Sequence, residues 1–339
     1  MPRFIRRIAA LCLATMFAQP LWSKESPEPT FEERPIRNSS TYPSLEEREL
    51  GNPVIKKTGE PAIWEHPLPF FAQDVIDLGF ELPKPFGLAV IPNRIVQELS
   101  LSDLSIRFND QPWEDIDFVT FDTPEASNNN VQLKFDAWVF PFMNLYAVYG
   151  KMRGEGDIPI EVEGRGLLEY IGINCDGILA PAACQRTIRG TAEPDYDGES
   201  FSLGMNLAMG WERFFVTLPL TYTWSDVNIF PEKVETIFIS PRFGVTGDVE
   251  EMGTLAVFIG ASYLKADVDV TGSLEFDTSG IPGLGDQTTL DFEITQKTAD
   301  RWNYLLGFNW DITRSWSVMG EIGAGGSRQN FLASVTWRF

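Results

Sequence analysis

The stretch from Trp302 to Ile312 is apolar at every second position: Trp302, Tyr304, Leu306, Phe308, Trp310 and Ile312 fall on one side, and Asn303, Gly307, Asn309 and Asp311 on the other. Successive residues of an extended chain point to opposite faces, so this segment reads as a strand with one greasy and one wet side. Trp316, Val318 and Ile322 repeat the pattern against Ser317 and Glu321, after a short turn at Thr313-Arg314-Ser315. It recurs at Phe201, Leu203, Met205, Leu207, Met209 and Trp211, and at Val216, Leu218, Leu220, Tyr222 and Trp224. The opposite faces there carry Ser202, Gly204 and Asn206, then Thr217, Pro219, Thr221 and Thr223.

A β-sandwich also alternates, but its second face would not be dominated by glycine and small polar residues. Aromatics at strand ends, here Trp211, Trp224, Trp302, Trp310 and Trp316, and connections of very unequal length fit a membrane barrel with aromatic girdles. Further candidate strands are 86–97, 99–109, 114–122, 131–141, 144–162, 234–246, 253–267, 288–298 and 328–339. The fold expected is all-β: a transmembrane antiparallel β-barrel of about 12 strands (10–14), over residues 86–339, with an N-terminal periplasmic extension.

The first residues read as an export signal, 1–23. Arg3, Arg6 and Arg7 precede the apolar run Ile8 to Ala18, which is too short to span a bilayer. Cys12 leaves with the signal. The formal net charge of -21 opposes binding to phosphate backbones, so no nucleic-acid partner is expected. Residues 24–85, rich in Pro, Glu and Ser at first, read as a flexible periplasmic arm. Within it, a short helix is expected near 69–80, because Phe71, Val75 and Leu78 fall at helical spacing. It packs against the barrel rim or plugs the lumen.

The closing segment FLASVTWRF places Phe331, Ala333, Val335, Trp337 and Phe339 on one face. It resembles the terminal strand of bacterial outer-membrane proteins, and the resemblance implies that Phe331, Val335, Trp337 and Phe339 form the signal read by the barrel-assembly machinery. Such a strand must pair with the first, since an open edge in lipid leaves backbone groups unsatisfied. PFGLAV at Pro85, LSLSDLSIRF at Leu99 and LKFDAWVFPFMNLYAVYGK at Leu133 resemble a family of proteobacterial outer-membrane proteins. That resemblance implies the barrel and its location in the outer membrane, and carries no substrate or catalytic residue. Within it, FPFMN reads as strand, turn, strand, with Pro141 ending the pairing and Asn144 in the turn.

Histidine occurs once, at His66 ahead of the barrel, so no barrel strand or loop can supply the histidine base used in hydrolysis or acyl transfer. A paired-carboxylate mechanism lacks a motif here. No catalytic residue, cofactor or metal site is therefore expected. Cys175 and Cys184 lie in a long inter-strand segment and, in an oxidising compartment, are expected to form a disulfide. Acid clusters at Glu155, Asp157, Glu161 and Glu163, at Glu193, Asp195, Asp197 and Glu199, and at Asp267, Asp269, Glu275 and Asp277 read as solvated loops or a cation-concentrating vestibule. The expected function is a narrow channel or small-solute passage, with surface-loop binding over a closed lumen as the alternative. The expected partners are outer-membrane lipid and lipopolysaccharide, the assembly machinery, and small solutes or cations.

Overall fold

The computed structural model describes residues 63–77, 82–108, 112–170, 172–176, 181–211, 213–249, 252–277 and 287–339, all within one compact unit, Ile36–Phe339. The segment expected to be an export signal, most of the expected arm and Leu78 lie outside the described residues. Sixteen antiparallel strands form one sheet. They are β1 (Phe86–Phe108), β2 (Glu114–Asp115), β3 (Val119–Phe121), β4 (Glu125–Phe140), β5 (Met143–Glu163), β6 (Thr187–Ala192), β7 (Asp195–Trp211) and β8 (Phe214–Val227). After them come β9 (Val234–Ile239), β10 (Arg242–Val249), β11 (Gly253–Ala266), β12 (Val268–Asp277), β13 (Gln287–Thr298), β14 (Trp302–Asp311), β15 (Trp316–Gly325) and β16 (Arg328–Arg338).

The sheet closes on itself. Pairing runs from β1 through β4, β5, β7, β8, the β9–β10 stave, β11, β14 and β15 to β16, and β16 returns to β1 with Gly87 opposite Arg338 and Gln97 opposite Arg328. Phe86 and Phe339 exchange backbone hydrogen bonds of 3.2 and 3.0 Å at the seam. β9 and β10 keep one register against both β8 and β11 and are interrupted only at Ser240-Pro241. The ring thus has ten staves, an even number as expected for a membrane barrel. Its registers accumulate a stagger of about twelve residues in one circuit, which tilts the strands by ~40°.

Ten staves fall at the lower bound of the expected 10–14, and three departures from the sequence reading account for the difference from twelve. Segments 86–97 and 99–109 are one continuous strand, β1. The 114–122 segment yields only two short pieces, β2 and β3, outside the ring. The 288–298 segment, β13, pairs with β12 and with the far half of β1 above the ring, in a hairpin whose first strand the periodicity missed. Connections at one end are short: 141–142, 212–213, 250–252 and 312–315. At the other end β5 runs past the ring to pair with β3 and β6.

The apolar alternate positions point outward. Val131, Met209, Ile259 and Tyr304 are 58%, 63%, 62% and 76% exposed. Their neighbours around the ring, including Leu133, Leu203, Val257, Leu306 and Val335, are exposed as well. A contiguous apolar surface this large is a membrane-facing band rather than a solvated one. Phe201 and Trp211, both exposed on β7, stand ten residues apart and mark its edges. At ~3.3 Å per residue and the tilt above, their separation is about 25 Å, the height of an outer-membrane apolar band. Paired rings thicken the short-turn edge: Trp211 stacks with Phe214 and Phe214 with Phe243, and Trp316 and Trp337 are tilted against each other.

The short helix α1 (Ala72–Asp77) lies within the expected 69–80. Phe70 donates from its backbone to the Val139 carbonyl at 2.9 Å, and Phe70 and Phe71 both pack on Phe140. Phe71 is 67% exposed on the rim, and Val75 is half-buried. Phe70 and Phe71 thus lie beside the β4–β5 turn, while Ala72 and Ile76 of the helix are buried.

Candidate functional site

The alternate face encloses the lumen, and its two halves differ in chemistry. Toward the short turns it is filled. Trp138, Phe215 and Phe258 are each 1% exposed; Ala256 joins the last two in one buried cluster, and Met319 packs against it. Two ion pairs are threaded among them. Asp136 is wholly buried and accepts from Asn144 Nδ2 at 2.8 Å and Arg338 Nη2 at 3.1 Å, with Lys134 Nζ 3.4 Å away. Arg242 Nη2 stands 2.8 Å from Glu321 Oε2, and its guanidinium lies over the Phe258 ring at 5.2 Å. Buried charges persist only when paired, and both carboxylates here have a partner.

The strand registers explain why these groups meet. Asp136 on β4 faces Tyr146 on β5 and Gly87 on β1, and Arg338 opposes the same Gly87 across the seam. A Cβ at Gly87 would sit 2.7 Å from Asp136 Oδ1, so glycine here lets the carboxylate reach across β1 to Arg338. Arg338 also donates to the Lys84 carbonyl at 3.3 Å, and Lys84 Nζ donates to Ser315 Oγ at 2.7 Å, tying the seam to a short turn. Asn144 was expected in the turn. It is instead a β5 residue, 3% exposed and bonded to Asp136, because the turn is made by Pro141-Phe142 alone.

Toward the long connections the lumen is lined by amides and hydroxyls. Asn93 and Gln97 on β1, Asn128, Asn130 and Gln132 on β4, and Ser200 and Ser202 on β7 share the inward face. Asn303 Nδ2 donates to Asn330 Oδ1 at 2.8 Å across Gly323, where a Cβ would collide with both. Arg328, at the head of β16, is 3% exposed and donates to the Ser262 carbonyl and hydroxyl at 3.3 and 3.0 Å.

Beyond the apolar band, β3, β6 and helix α2 (Gly164–Tyr170) stand on the extended β5. Cys175 and Cys184 are joined there, as expected, and both are buried. Tyr170 packs against Phe118 at 5.6 Å, and its hydroxyl pKa is pushed up to about 12, first by burial and then by Glu114. A cleft of about 320 Å³ between β4, β5 and β7 is lined by Glu125, Glu155, Asp157, Glu193 and Asp195. These acids ride on or beside strands that outrun the membrane band, rather than on free loops. Among the described residues no group of three or more His, Cys, Asp or Glu is placed to hold a metal. His66 is exposed at the rim, edge-on to Trp64 at 5.2 Å.

The lumen residues Lys134, Asp136, Arg242, Glu321, Arg328 and Arg338 were not singled out from sequence. Their signal was present as charge on the polar side of an alternating strand, most plainly at Glu321 and Arg338.

A ring of ten outward-greasy strands closed between first and last defines a transmembrane antiparallel β-barrel. No protein-family model matches the chain, and no curated protein matches it. Among solved structures it is similar to the β-domain of the Bordetella autotransporter BrkA (10% identity, 76% of this chain and 100% of that one, TM-score 0.37). It is also similar to the outer membrane protein OprG from Pseudomonas aeruginosa (11%, 76% and 98%, TM-score 0.37). A third is the toluene transporter TodX from P. putida (9%, 76% and 91%, TM-score 0.28).

Proposed function

We propose that the protein is a non-enzymatic barrel of the Gram-negative outer membrane that passes small polar solutes through a narrow lumen. In this reading the short turns face the periplasm and the long connections face outward, the usual orientation of such barrels. The observation that carries it is the split lumen: an amide- and hydroxyl-lined outer half above a constriction of Trp138, Phe215 and Phe258 braced by Asp136–Arg338 and Arg242–Glu321. Hydrocarbon needs only the outer face to be apolar, so a polar inner face fits contact with water and solutes. The acidic outer cleft adds a field that concentrates cations near the mouth.

Planar-bilayer recording tests this. The wild type is expected to show small conductance, and the Trp138→Ala/Phe215→Ala double variant at least three times more. No conductance from either overturns the proposal. A second reading, display of surface elements over a closed lumen, is favoured by the disulfide-stapled unit around α2. Under that reading, deleting residues 164–186 abolishes binding to a surface partner and leaves solute permeability unchanged.

A further inference from the structure

Toward the long connections, the edge of the apolar band is not uniform around the ring. On β7 and β8 it carries Phe201 stacked on Trp224, and on β11 and β14 it carries Tyr263 against Trp302. Across β1, β4 and β5 the same level is taken by cations and an amide. The registers set Arg94 on β1 beside Asn129 on β4, Asn129 beside Arg153 on β5, and Val131 beside Lys151 two residues nearer the band. Arg94, Asn129, Lys151 and Arg153 are all exposed on the outward face. With about 3.3 Å per residue along a strand, about 4.8 Å between strands and the ~40° tilt, Arg94 and Lys151 stand within about 2 Å of the height of Phe201, and Arg153 about 7 Å further out.

Arg94 and Arg153 make no ion pair and no side-chain hydrogen bond among the described residues, although Arg153 stands directly opposite Asp197 on β7. Lys151 meets Glu199 at 3.1 Å, but the two side chains are 70% and 56% exposed, and a pair so open is weak. Elsewhere at this level the cations are answered within the chain: Lys265 and Arg301 share Asp267 at 3.7 and 3.5 Å. The three cations on β1 and β5 mark a triangle with backbone edges of about 7, 10 and 12 Å, which long side chains can close onto one tetrahedral anion. Directly below them the wall is apolar and exposed, at Val90, Val131 and Leu133. A free anion gains nothing from that floor, whereas an amphiphile lays its acyl chains on it and lifts its headgroup to the cations.

We infer that Arg94, Lys151 and Arg153, with the Asn129 amide between them, form a docking site on the outer wall for the phosphate of a lipid headgroup, namely the phosphorylated sugar of lipid A in lipopolysaccharide. The guanidiniums take phosphate oxygens through their planar forks, Lys151 adds a point charge, and the Asn129 amide donates to phosphate or to a sugar hydroxyl. Of the cleft acids, Glu155 is the nearest on β5, about 13 Å along the strand from Lys151. That exceeds the ~8 Å over which charge acts at physiological salt, so a phosphate held between Arg94 and Lys151 is largely screened from it. The site rests on the outer-membrane reading and its orientation, and is independent of solute passage.

The test is native mass spectrometry of the full chain, folded in detergent micelles and titrated with diphosphoryl lipid A, dephosphorylated lipid A and phosphatidylglycerol, with inorganic phosphate as competitor. Diphosphoryl lipid A is expected to bind about tenfold more tightly than the dephosphorylated form, and the Arg94→Gln/Lys151→Gln/Arg153→Gln variant to lose about that factor, as charge-assisted bonds are removed. Lys265→Gln, at the same level but outside the triangle, is expected to change nothing. Folding is checked by heat-modifiable gel migration; if the triple variant does not fold, Arg94→Gln alone replaces it, with about a threefold loss expected. Equal binding of the dephosphorylated lipid, wild-type affinity in the variant, or an equal loss in Lys265→Gln overturns the site. Phosphatidylglycerol binding as tightly as lipid A, or displacement of lipid A by inorganic phosphate, overturns the lipid A assignment. A chain that stays folded and monomeric in plain buffer defeats the membrane reading together with the site, whereas a barrel that folds in micelles and binds lipid A no better than its triple variant defeats the site alone.

Discussion

Replacing Asp136 by Asn should cost more stability than any other single polar change in the barrel. The carboxylate is wholly buried, and Arg338, whose side chain is 5% exposed, pairs with it at 3.1 Å. Asparagine keeps the size and the bond to Asn144 but removes the charge, leaving the Arg338 guanidinium buried and uncompensated. Breaking a buried pair in this way costs about 3–5 kcal/mol. Lys134, 3.4 Å from Asp136, loses the same partner, but its side chain is 26% exposed and water compensates part of that loss. The assay is urea unfolding of the barrel in phospholipid vesicles, followed by tryptophan fluorescence. The double variant Asp136→Leu/Arg338→Met removes both charges and should return to within about 1 kcal/mol of wild type, since apolar replacements of buried pairs are close to neutral. Asp136→Asn within about 0.5 kcal/mol of wild type, or a double variant as weak as the single, would refute the account of Asp136 as the counter-ion that makes Arg338 tolerable.

Deleting residues 331–339 removes most of the β1–β16 seam, and no heat-modifiable monomer should then appear on a gel; a folded band of normal yield contradicts closure through β16. Reducing Cys175–Cys184 should expose 164–192 to protease within minutes while the membrane-embedded fragment stays intact, because the staple lies in the unit beyond the band. Asp291 on β13 has its carboxyl pKa held below the usual 3.8, first by the Ser273 hydroxyl and then by Arg107 at 2.7 Å. A depressed pKa gives stability that is present above the unfolded value and is lost as pH falls through the folded one. Docking of β13 on the far half of β1 should therefore loosen below about pH 4 and not between pH 5 and 8, which hydrogen exchange over 99–108 and 291–298 reports.

The outward face was legible in the sequence because lipid imposes a strict rule: a charge at Leu306 or Val335 is expensive, so the alternation there is unbroken. The seam was legible for the same reason, with Phe331, Val335, Trp337 and Phe339 exposed on one side of β16. The inward face obeys no such rule, and Trp138, Phe258 and Leu305 sit there among serines and asparagines. That mixture blurred the period in β1, which was divided at Glu98, and hid the charged groups. Asp136 and Arg338 lie 202 residues apart in sequence, and no local spacing announces their meeting. Asn144 was misplaced because asparagine favours turns and lumen walls alike, and only the register of β4 on β5 separates the two.

Pro219 on β8 and Pro241 between β9 and β10 lie on adjacent staves, and the Ser240 amide donates to the Pro219 carbonyl at 3.0 Å. Neither proline has a backbone donor to give in return. Pro92 on β1 leaves one more gap elsewhere in the ring, but among the described residues only here are two crossings missing on neighbouring staves. If the cylinder is strained, by a bulky cargo or by lateral pressure, this patch is where it should give way first, as cloth tears along a line of dropped stitches.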